Sequence, residues 1–350
     1  MTRSIARFLF RRFRKLETDV HPLNYLFWEC TTRCNLSCLH CGSDCSMNSQ
    51  MPDMPLPDFI GAIDTIKSKS LITVVLTGGE PLLRRDLEEC GRQIRKRGMR
   101  WGMVSNGYLY NEERHNALLG AGMGALTISL DGLEVSHNWL RNTAGSFDRA
   151  VQAITLAASS SRLNFDVVTC VNPRNIGELD EIYDLLLSRR VKAWRLFTIA
   201  PIGRAESNRE LLLTGDSFRQ LMEFIAEKRT LKQMDVKFSC ESYTGPYETR
   251  VCDGYFFCRA GINIGSILAD GSISACPNID HSFVQGNIYR DNFFDVWQHR
   301  YGDFRNREWA RRGKCADCKE FKDCLGNGLH LWHGDKENVL VCYNDYLQKN

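Results

Sequence analysis

The sequence lacks any apolar run of the ~18–20 residues that a membrane-spanning helix needs, and it lacks a signal segment with an apolar core of about 7–15 residues. It also lacks an excess of charge of one sign, because 45 basic and 42 acidic residues leave a net charge of +3. This balance excludes nucleic-acid binding through bulk charge, and we expect no DNA partner. With 43% hydrophobic and 25% charged residues, the chain is neither disordered nor fibrous. These absences predict a folded cytoplasmic protein.

Cysteine is the residue type in excess, with fifteen among 350 residues. The number is odd, and most of the cysteines are gathered at two places instead of being spread as pairs. This pattern does not fit a disulfide framework, and thiols in the cytosol stay reduced, where clustered cysteines more often hold metal. A metal-binding protein is therefore the first hypothesis.

From residue 22 to about residue 200, short β-branched apolar runs alternate with segments of helical period, which indicates βα units around a parallel sheet. The predicted strands are residues 25–30, 72–76, 100–105, 126–130, 165–171 and 194–198. The predicted helices are residues 57–69, 84–97, 112–119, 146–158, 176–188 and 217–230. Six units are too few to close an eight-stranded barrel of ~250 residues, so we expect an α/β fold with an open, partial (β/α)6 barrel. Functional residues are then expected at the carboxyl ends of the strands.

The composition changes after about residue 235, where Gly, Asn, Asp and Cys become frequent. Residues 264–275 are typical of a hairpin that turns at Asp270-Gly271. A loop-rich module of this kind buries little apolar surface and needs staples, either metal or disulfide. The expected organisation is a basic amphipathic helix over residues 1–21, a barrel over 22–235 and a small cysteine-rich domain over 236–350.

The strongest local signal is a group of three cysteines, Cys34, Cys38 and Cys41, directly after the first predicted strand. Thiolates at this spacing can converge on one iron–sulfur cube from a single loop, and three thiolates leave one of the four irons open to another ligand. The alternatives are a tetrahedral zinc site completed by His40 or Cys45, and three thiols without a metal. The spacing favours the cluster.

Further motifs fall where the next three predicted strands end. They comprise Gly78, Gly79 and Glu80 after the second strand, Ser105 and Asn106 at the third, and Ser129 and Asp131 at the fourth, with Arg141 downstream. Glycines let a backbone approach a ligand, a Glu carboxylate can hold an ammonium group, Ser and Asp suit ribose hydroxyls, and Arg can pair with a carboxylate. Each motif alone is more often an ordinary turn. In this order at one edge of the sheet, they predict a site for a nucleoside that bears an amino acid.

With these residues the sequence resembles the radical S-adenosylmethionine (SAM) enzymes. The resemblance implies a 4Fe-4S cluster on the three cysteines, whose open iron chelates the amino and carboxyl groups of SAM. Reductive cleavage of SAM then gives methionine and a 5′-deoxyadenosyl radical that abstracts a substrate hydrogen. The residues that the resemblance assigns to SAM are Gly78, Gly79 and Glu80 for the methionyl amino group, Ser129 and Asp131 for the ribose, Arg141 for the carboxylate, and Ser105 and Asn106 for the same site. His40 stands where the family usually has an aromatic residue, and we expect its imidazole to cover the adenine edge.

The second module resembles the auxiliary-cluster domain called SPASM, which occurs in enzymes that modify peptides and proteins. By this resemblance, auxiliary 4Fe-4S cluster I takes Cys252, Cys258 and Cys276, and auxiliary 4Fe-4S cluster II takes Cys315, Cys318, Cys324 and Cys342. Gly328 stands where many members have one more cysteine, which leaves cluster I with three thiolates and an open iron. We expect substrate or solvent there in preference to a fourth protein ligand such as Cys240, His330 or Asp280. Zinc in either site is the alternative.

The residues after Cys276 depart from the sulfatase-maturating relatives, in which a carboxylate that acts as a base directly follows the matching cysteine. Here Pro277 and Asn278 follow instead, which weakens any expectation of formylglycine formation. Asp280 is the nearest carboxylate and stands as the candidate catalytic base, although no spacing fixes its direction.

The N-terminal segment predicts a basic amphipathic helix over residues 3–16. Its apolar face carries Ile5, Phe8, Leu9, Phe13 and Leu16, and its opposite face carries Arg3, Arg7, Arg11 and Arg14. Such a helix can lie on an anionic membrane surface, grip an acidic partner peptide or dock on the protein's own barrel.

The function expected from the motifs and the resemblance is a radical SAM enzyme that takes hydrogen from a peptide or small protein and modifies it post-translationally. A reductant such as flavodoxin or ferredoxin would supply the electrons. The alternatives are a radical SAM enzyme acting on a small molecule or RNA, and a non-enzymatic iron–sulfur or zinc protein that carries electrons or acts as a scaffold. The ordered strand-end motifs argue against the scaffold, because a scaffold needs no site for a ribose and an amino acid.

Overall fold

A computed structural model describes residues 3–68, 70–239, 242–334, 336–337 and 339–347. Its strands are β1 (Tyr25–Thr31), β2 (Thr73–Gly78), β3 (Arg100–Ser105), β4 (Ala125–Ser129), β5 (Asn164–Val171), β6 (Ala193–Thr198), β7 (Asp235–Phe238), β8 (Ile264–Ile267), β9 (Ser272–Ser274) and β10 (Gly286–Asn287). Its helices are α1 (Arg3–Val20), α2 (Leu56–Asp64), α3 (Leu87–Lys96), α4 (Glu112–Gly120), α5 (Glu134–Arg141), α6 (Ser146–Ala158), α7 (Leu179–Ser188), α8 (Gly215–Leu231), α9 (Glu248–Val251), α10 (Phe293–His299), α11 (Gly302–Arg305), α12 (Phe321–Cys324) and α13 (Tyr343–Leu347). Cys240, a candidate ligand of cluster I, lies outside the described residues.

Strands β1 to β7 pair in parallel and in chain order, which confirms the expected α/β partial barrel. Side chains alternate between the two faces of each strand. On β1, Trp28 is buried and stacks on Phe59 of α2 with ring centroids 3.8 Å apart, so this face packs against the helices. The opposite face, which carries Phe27 and Glu29, is half-buried and forms the barrel interior.

Several elements differ from the sequence-based expectation. The structure has a seventh parallel strand, β7, in addition to the six that were predicted. β7 was not predicted because its four residues include the charged Asp235 and Lys237 and form no apolar run. β7 also crosses the expected boundary between the barrel and the cysteine-rich domain, at residues 235 and 236. The division into domains stays a prediction. The predicted helices 57–69 and 84–97 are shorter in the structure, and α5 was not predicted.

The cysteine-rich segment continues the barrel sheet. β8 and β9 form the predicted antiparallel hairpin, and β10 pairs with β9. β8 also pairs in parallel with β1, with Tyr25 opposite Ile264 and Trp28 opposite Ile267. The strand that leads into the three-cysteine loop is therefore hydrogen-bonded to the C-terminal segment on one side and to β2 on the other.

Helix α1 docks through its arginine face. Arg11 makes a two-pronged ion pair with Asp323, with Nε–Oδ1 at 2.6 Å and Nη2–Oδ2 at 2.9 Å, and Arg14 donates to the carbonyl of Lys322 at 2.6 Å. The large apolar side chains of the other face are 43% to 60% exposed, namely those of Ile5, Phe8, Leu9, Phe13, Leu16 and Val20. Among the described helices, none has the length and apolar character to cross a bilayer.

Candidate functional site

The loop after β1 carries the three cysteines and is clamped by its neighbours. Gly79 N donates to the Thr31 carbonyl at 2.8 Å and Glu80 N donates to the Arg33 carbonyl at 2.9 Å. A Cβ at Gly79 would lie 2.0 Å from the Arg33 carbonyl oxygen, so only glycine allows this approach. The glycines expected to make room for a ligand therefore also make room for the cysteine loop.

The loop after β6 clamps the cysteine loop from the other side. Arg204 Nε donates to the Cys38 carbonyl at 2.7 Å, and its Nη1 contacts Asp44 at 2.7 Å. Gly203 has φ +56°, and a Cβ there would lie 2.4 Å from the Gly42 carbonyl oxygen. The sequence analysis missed Arg204, although Gly203-Arg204 follows β6 at the edge where the other motifs lie.

The three thiols belong to one loop, in which Cys38 is buried and Cys34 and Cys41 are partly buried. The pKa of Cys34 is raised to about 11, chiefly by burial and to a smaller extent by the charges of Glu80, Cys38 and Cys41. Burial also raises the pKa of Cys38, against the lowering effect of Arg141. The pKa of Cys41 is lowered to about 5, chiefly by a hydrogen bond from the Cys45 thiol. Thiols that oppose each other's ionisation in a buried loop are suited to a multiply charged metal centre, which stabilises all the thiolates together.

Glu80 lies at the centre of a hydrogen-bond network at the ends of β2 and β3. It is fully buried, its Oε1 accepts from Ser105 Oγ at 2.9 Å, and its Oε2 accepts from Asn106 N at 2.8 Å. Asn106 Nδ2 in turn donates to Asn35 Oδ1 at 2.9 Å and contacts Cys34 Sγ at 3.9 Å. The structure thus brings Glu80, Ser105 and Asn106 together beside the first cysteine.

A second network forms at the end of β4. Asp131 is buried, its Oδ1 accepts from Cys170 N at 2.7 Å, and its Oδ2 pairs with Arg141 Nη2 at 2.5 Å. Arg141 Nη1 donates to Cys38 Sγ at 3.5 Å, and His40 Nε2 lies 3.9 Å from Asp131 Oδ2. Ligand atoms of His40, Asp131 and Cys170 lie within 4.8 Å of one another, but Arg141 already supplies the positive charge that Asp131 needs. We interpret this network as a polar cradle rather than a metal site.

Buried donors in these networks remain without partners among the described residues. They are Asn35 Nδ2, Arg141 Nε and the Nε2 of His137, whose Nδ1 accepts from Asp131 N at 3.0 Å. The ring Nδ1 of His40 has no partner within the described part of the chain either. A buried donor without an acceptor is costly, so such groups indicate an absent ligand. An excess of donors fits a ligand rich in acceptors, such as the carboxylate and ribose of SAM. Ser129 is buried at the same strand end, and its assignment to the ribose stays a prediction.

The predicted ligands of auxiliary cluster II come together. Cys315, Cys318, Cys324 and Cys342 line one cavity of about 550 Å³. The pKa of Cys315 is raised to about 11 and that of Cys324 to about 12, chiefly by burial and to a smaller extent by the other thiols of the group. A site of four mutually repelling thiols fits a metal centre.

The predicted ligands of cluster I have different surroundings. Cys258 lies beside Arg307, whereas the Cys252 thiol donates to the Phe238 carbonyl at 3.2 Å at the end of β7. Cys276 follows β9, and two residues later Asn278 Oδ1 lies 3.8 Å from the position of a Cβ on Gly42, beside Cys41. The hairpin end therefore overhangs the three-cysteine loop, and the shared ligation by these cysteines stays a prediction.

Two carboxylates near the hairpin have opposite properties. Asp280 is exposed and accepts from Ser282 N at 2.9 Å; burial would raise its pKa, but the Ser282 hydrogen bonds outweigh this and lower it. A lowered pKa makes Asp280 a weak base. Glu29 faces the barrel interior and accepts from Ala269 N at 3.2 Å, and burial raises its pKa. The sequence analysis missed Glu29, whose signal is a single charge in an otherwise uncharged strand.

Comparison with known proteins agrees with this arrangement. The profile of the Radical SAM superfamily matches residues 28–186, and that of SPASM, an iron-sulfur cluster-binding domain, matches residues 258–319. The chain belongs to the radical SAM superfamily and carries a SPASM domain. It is accordingly a radical SAM enzyme, with 4Fe-4S and SAM as cofactors.

The relatives differ in substrate. Mycofactocin maturase MftC of Mycolicibacterium smegmatis is 30% identical over 306 residues, which cover 86% of this chain and 76% of that protein. The AdoMet-dependent heme synthase of Nitratidesulfovibrio vulgaris is 24% identical over 335 residues, or 89% of each chain. The structure of Streptococcus suis SuiB bound to the precursor peptide SuiA matches with a TM-score of 0.69 at 16% identity, over 90% of this chain and 74% of that one. That structure shares the fold.

Proposed function

We propose that this radical SAM enzyme abstracts a hydrogen atom from a peptide or small protein and so modifies it post-translationally. The observation that carries the proposal is the polar character of the barrel interior. On the interior face, Thr127 Oγ1 donates to Asp166 Oδ1 at 2.6 Å, and Arg195 donates to Thr127 at 3.2 Å and pairs with Asp166. These half-buried groups offer donors and acceptors to the amides of a peptide chain, which need partners once they leave water. SuiB, which has the same fold, is bound to a precursor peptide.

The second candidate substrate is a small molecule. It is favoured by the heme synthase relative, which aligns over 89% of this chain. A flat apolar ring would be suited to an apolar cavity. The interior groups Asp166, Arg195 and Glu29 are charged or ionisable, and for this reason we favour the peptide.

The proposed roles in the site follow from its contacts. Cys34, Cys38 and Cys41 would hold the 4Fe-4S cluster, which when reduced supplies the electron that cleaves SAM to methionine and the 5′-deoxyadenosyl radical. Glu80, fixed by Ser105 and Asn106, would accept the methionyl ammonium group, and Gly78 and Gly79 would line it. Arg141 would orient the SAM carboxylate while pairing with Asp131, which with Ser129 faces the ribose. His40 would cover the adenine edge.

The auxiliary module would hold two further 4Fe-4S clusters. The proposed ligands are Cys252, Cys258 and Cys276 for cluster I, and Cys315, Cys318, Cys324 and Cys342 for cluster II. The common cavity of the cluster II thiols supports this assignment. These clusters would pass electrons between the substrate and a reductant such as flavodoxin or ferredoxin.

We also propose that α1 contacts an anionic membrane surface. Its arginine face is occupied by Asp323, whereas its apolar face is exposed. Arg12 and Lys15 are exposed on the same side of the helix as Phe8 and Phe13, where they can reach lipid phosphates as the apolar side chains enter the interface. Acids on this side are limited to Asp19 within the described helix, and it is paired with Lys15 at 2.9 Å. This charge pattern favours a surface of anionic lipids over a neutral lipid surface.

The substrate class is tested by deuterium transfer. A lysate of cells grown in D2O is separated into a proteolytic peptide digest and a non-peptide organic extract. Each fraction is added anaerobically to reconstituted enzyme with SAM and dithionite, and 5′-deoxyadenosine is analysed by mass spectrometry. Deuterated 5′-deoxyadenosine from the peptide fraction supports the proposal, and transfer from the organic extract alone contradicts it.

A further inference from the structure

Glu29 is a carboxylate on the interior face of the barrel that lies against the carboxyl end of β2. In the parallel register of β1 and β2 it stands opposite Thr77, and a Cβ on the next residue, Gly78, would lie 2.7 Å from Glu29 Cγ. The absence of a side chain at position 78 therefore makes room for the glutamate. Glu29 thus borders the glycines that are proposed to line the methionyl end of SAM.

The Glu29 carboxylate accepts a hydrogen bond but pairs with no cation of the described chain. Its Oε2 accepts from Ala269 N at 3.2 Å, and no ion pair joins it to a described Lys, Arg or His. Burial raises its pKa, and the charges of Asp270 and Cys41 raise it too, against lowering by the Ala269 hydrogen bond and by His281. A partly buried carboxylate without a counter-charge is unfavourable, so it indicates a cation that binds there.

The arginines around the cysteine loop are already paired and cannot supply this cation. Each has an aspartate partner: Arg33 with Asp53, Arg84 with Asp86, Arg141 with Asp131 and Arg204 with Asp44. Glu29 on β1 and Glu80 directly after β2 have no such partner among the described residues. SAM carries a positive charge on its ammonium group and another on its sulfonium sulfur. These charges match the two unpaired carboxylates.

We propose that Glu29 binds the sulfonium group of SAM and so selects SAM over analogues with an uncharged sulfur. The inference rests on the proposed placement of the methionyl end, with its ammonium group at Glu80. A short methylene chain joins that end to the sulfur, so the sulfur lies only a few bonds from the group that Glu80 holds. The attraction between a carboxylate and a sulfonium distinguishes SAM from S-adenosylhomocysteine, whose sulfur is neutral.

The test measures ligand affinity in the reconstituted full chain, kept oxidised so that SAM is not cleaved. Anaerobic equilibrium dialysis gives the dissociation constants of SAM, of S-adenosylhomocysteine and of sinefungin, in which an amine-bearing carbon replaces the sulfonium. The variants are Glu29→Gln, which keeps an acceptor for Ala269 N and removes the charge, and Glu80→Gln. Asp166→Asn is the control, because Asp166 has its own cation in Arg195.

We expect Glu29→Gln to raise the dissociation constants of SAM and sinefungin about tenfold, or about 1.4 kcal/mol, and to change that of S-adenosylhomocysteine by less than about twofold. Glu29→Asp, which keeps the charge, is expected to restore part of the preference for the charged ligands. Asp166→Asn should leave this preference unchanged. An unchanged preference in Glu29→Gln, or an equal loss for charged and uncharged ligands, overturns the inference.

Glu80→Gln separates the inference from the placement of SAM. All the ligands carry the ammonium group, so removal of the Glu80 charge should weaken them alike. If it weakens none of them, the placement is wrong and the inference fails with it. If it weakens them all and Glu29→Gln has no selective effect, the inference alone is wrong.

A loss of iron in Glu29→Gln leaves the decision to the unmodified chain. A preference of at least about threefold for both charged ligands over S-adenosylhomocysteine then supports the inference, and a smaller preference overturns it.

Discussion

Arg141 and Asp131 form an ion pair of 2.5 Å between Nη2 and Oδ2, and both side chains are buried. Burial by itself raises the pKa of Asp131, but the adjacent Arg141 outweighs it and lowers the pKa below the ordinary value. The same guanidinium contacts Cys38 Sγ at 3.5 Å. The pair therefore joins the end of β4 to the loop that carries the cluster cysteines.

Asp131→Asn is expected to weaken both stability and SAM binding. The substitution leaves Arg141 buried without its counter-charge, which costs about 3–5 kcal/mol of unfolding free energy. We expect the dissociation constant for SAM, measured by anaerobic equilibrium dialysis, to rise at least about tenfold, or about 1.4 kcal/mol. Asp166→Asn, which removes the carboxylate partner of Arg195 in a more exposed pair within the sheet, serves as the control and should leave SAM affinity unchanged. Equal losses in the two variants would contradict a role of Asp131 at SAM.

SAM affinity is expected to be flat between about pH 6 and pH 8, with no histidine inflection. Burial lowers the pKa of His40 to about 4 and that of His137 to about 3, so both rings stay neutral in this range. The unfolded chain binds these protons near pH 6.5, so stability conferred by burial is present above that pH and is lost as the pH falls toward 4. Equilibrium dialysis across the range checks the first point, and thermal unfolding checks the second. A tenfold change in SAM affinity centred near pH 6.5 would show that one ring titrates in the folded protein.

Cysteine substitutions should separate SAM cleavage from product formation. Cys34→Ala is expected to abolish 5′-deoxyadenosine, and alanine at Cys34, Cys38 and Cys41 together should lower iron from about twelve to about eight per chain for three cubes. Cys276→Ala should spare uncoupled cleavage of SAM but stop modification of the substrate. Cys90→Ala, which truncates a buried side chain of α3, is the control and should keep full iron. Retained cleavage in Cys34→Ala would overturn the assignment of the SAM-cleaving cluster.

Glu248→Gln is expected to stabilise the protein above neutral pH. Burial raises the pKa of Glu248 to about 7, although the Phe256 amide, which donates at 2.8 Å, and Arg7 both lower it. Because the folded pKa lies above the unfolded value, the stability is present below about pH 4.3 and is lost as the pH rises through 7. The gain in Glu248→Gln at pH 8 should be about 3 kcal/mol at most, measured by chemical unfolding at several pH values. Glu223→Gln on the exposed face of α8 should show no such gain.

Helix α1 is expected to bind anionic vesicles. Wild-type protein should co-sediment with phosphatidylcholine vesicles that contain about 30% phosphatidylglycerol, and high salt should weaken this binding by screening Arg12 and Lys15. The double substitution Phe8→Asp and Phe13→Asp should abolish binding, whereas Tyr289→Asp, at an exposed aromatic residue far along the chain, should not. Protein that stays in the supernatant, or that binds a partner peptide in place of vesicles, would rule out the membrane contact.

The sequence was most informative where local pattern determines structure. Strand periods and the three-cysteine run were sufficient to place Glu80, Ser105 and Asp131 at one edge of a parallel sheet. The sequence could not reveal the contact of Arg141 with Cys38, because that contact depends on the direction of α5, an element outside the prediction.

Helix α1 illustrates a second kind of limit. Its period predicts two faces, and the usual expectation is that the apolar face is buried. Which face docks depends on Asp323, more than 300 residues away in the chain, whose carboxylate Arg11 contacts at 2.6 Å. Long-range charge partners of this kind leave no local trace in a sequence. β7 was missed for a different reason, because a strand of four residues with two charges is too short to show the alternation of apolar and polar residues that predicts a strand.

The pairing of β1 with β8 also has a consequence for biosynthesis. One edge of β1 stays open until the ribosome has made residues 264–267, which at roughly 5–20 residues per second takes on the order of ten to fifty seconds after β1 emerges. An unpaired strand edge is a template for wrong association during this interval. Chains that stop before β8 would keep the edge beside the three-cysteine loop exposed. Premature termination before residue 264 should therefore yield aggregated protein rather than a free barrel.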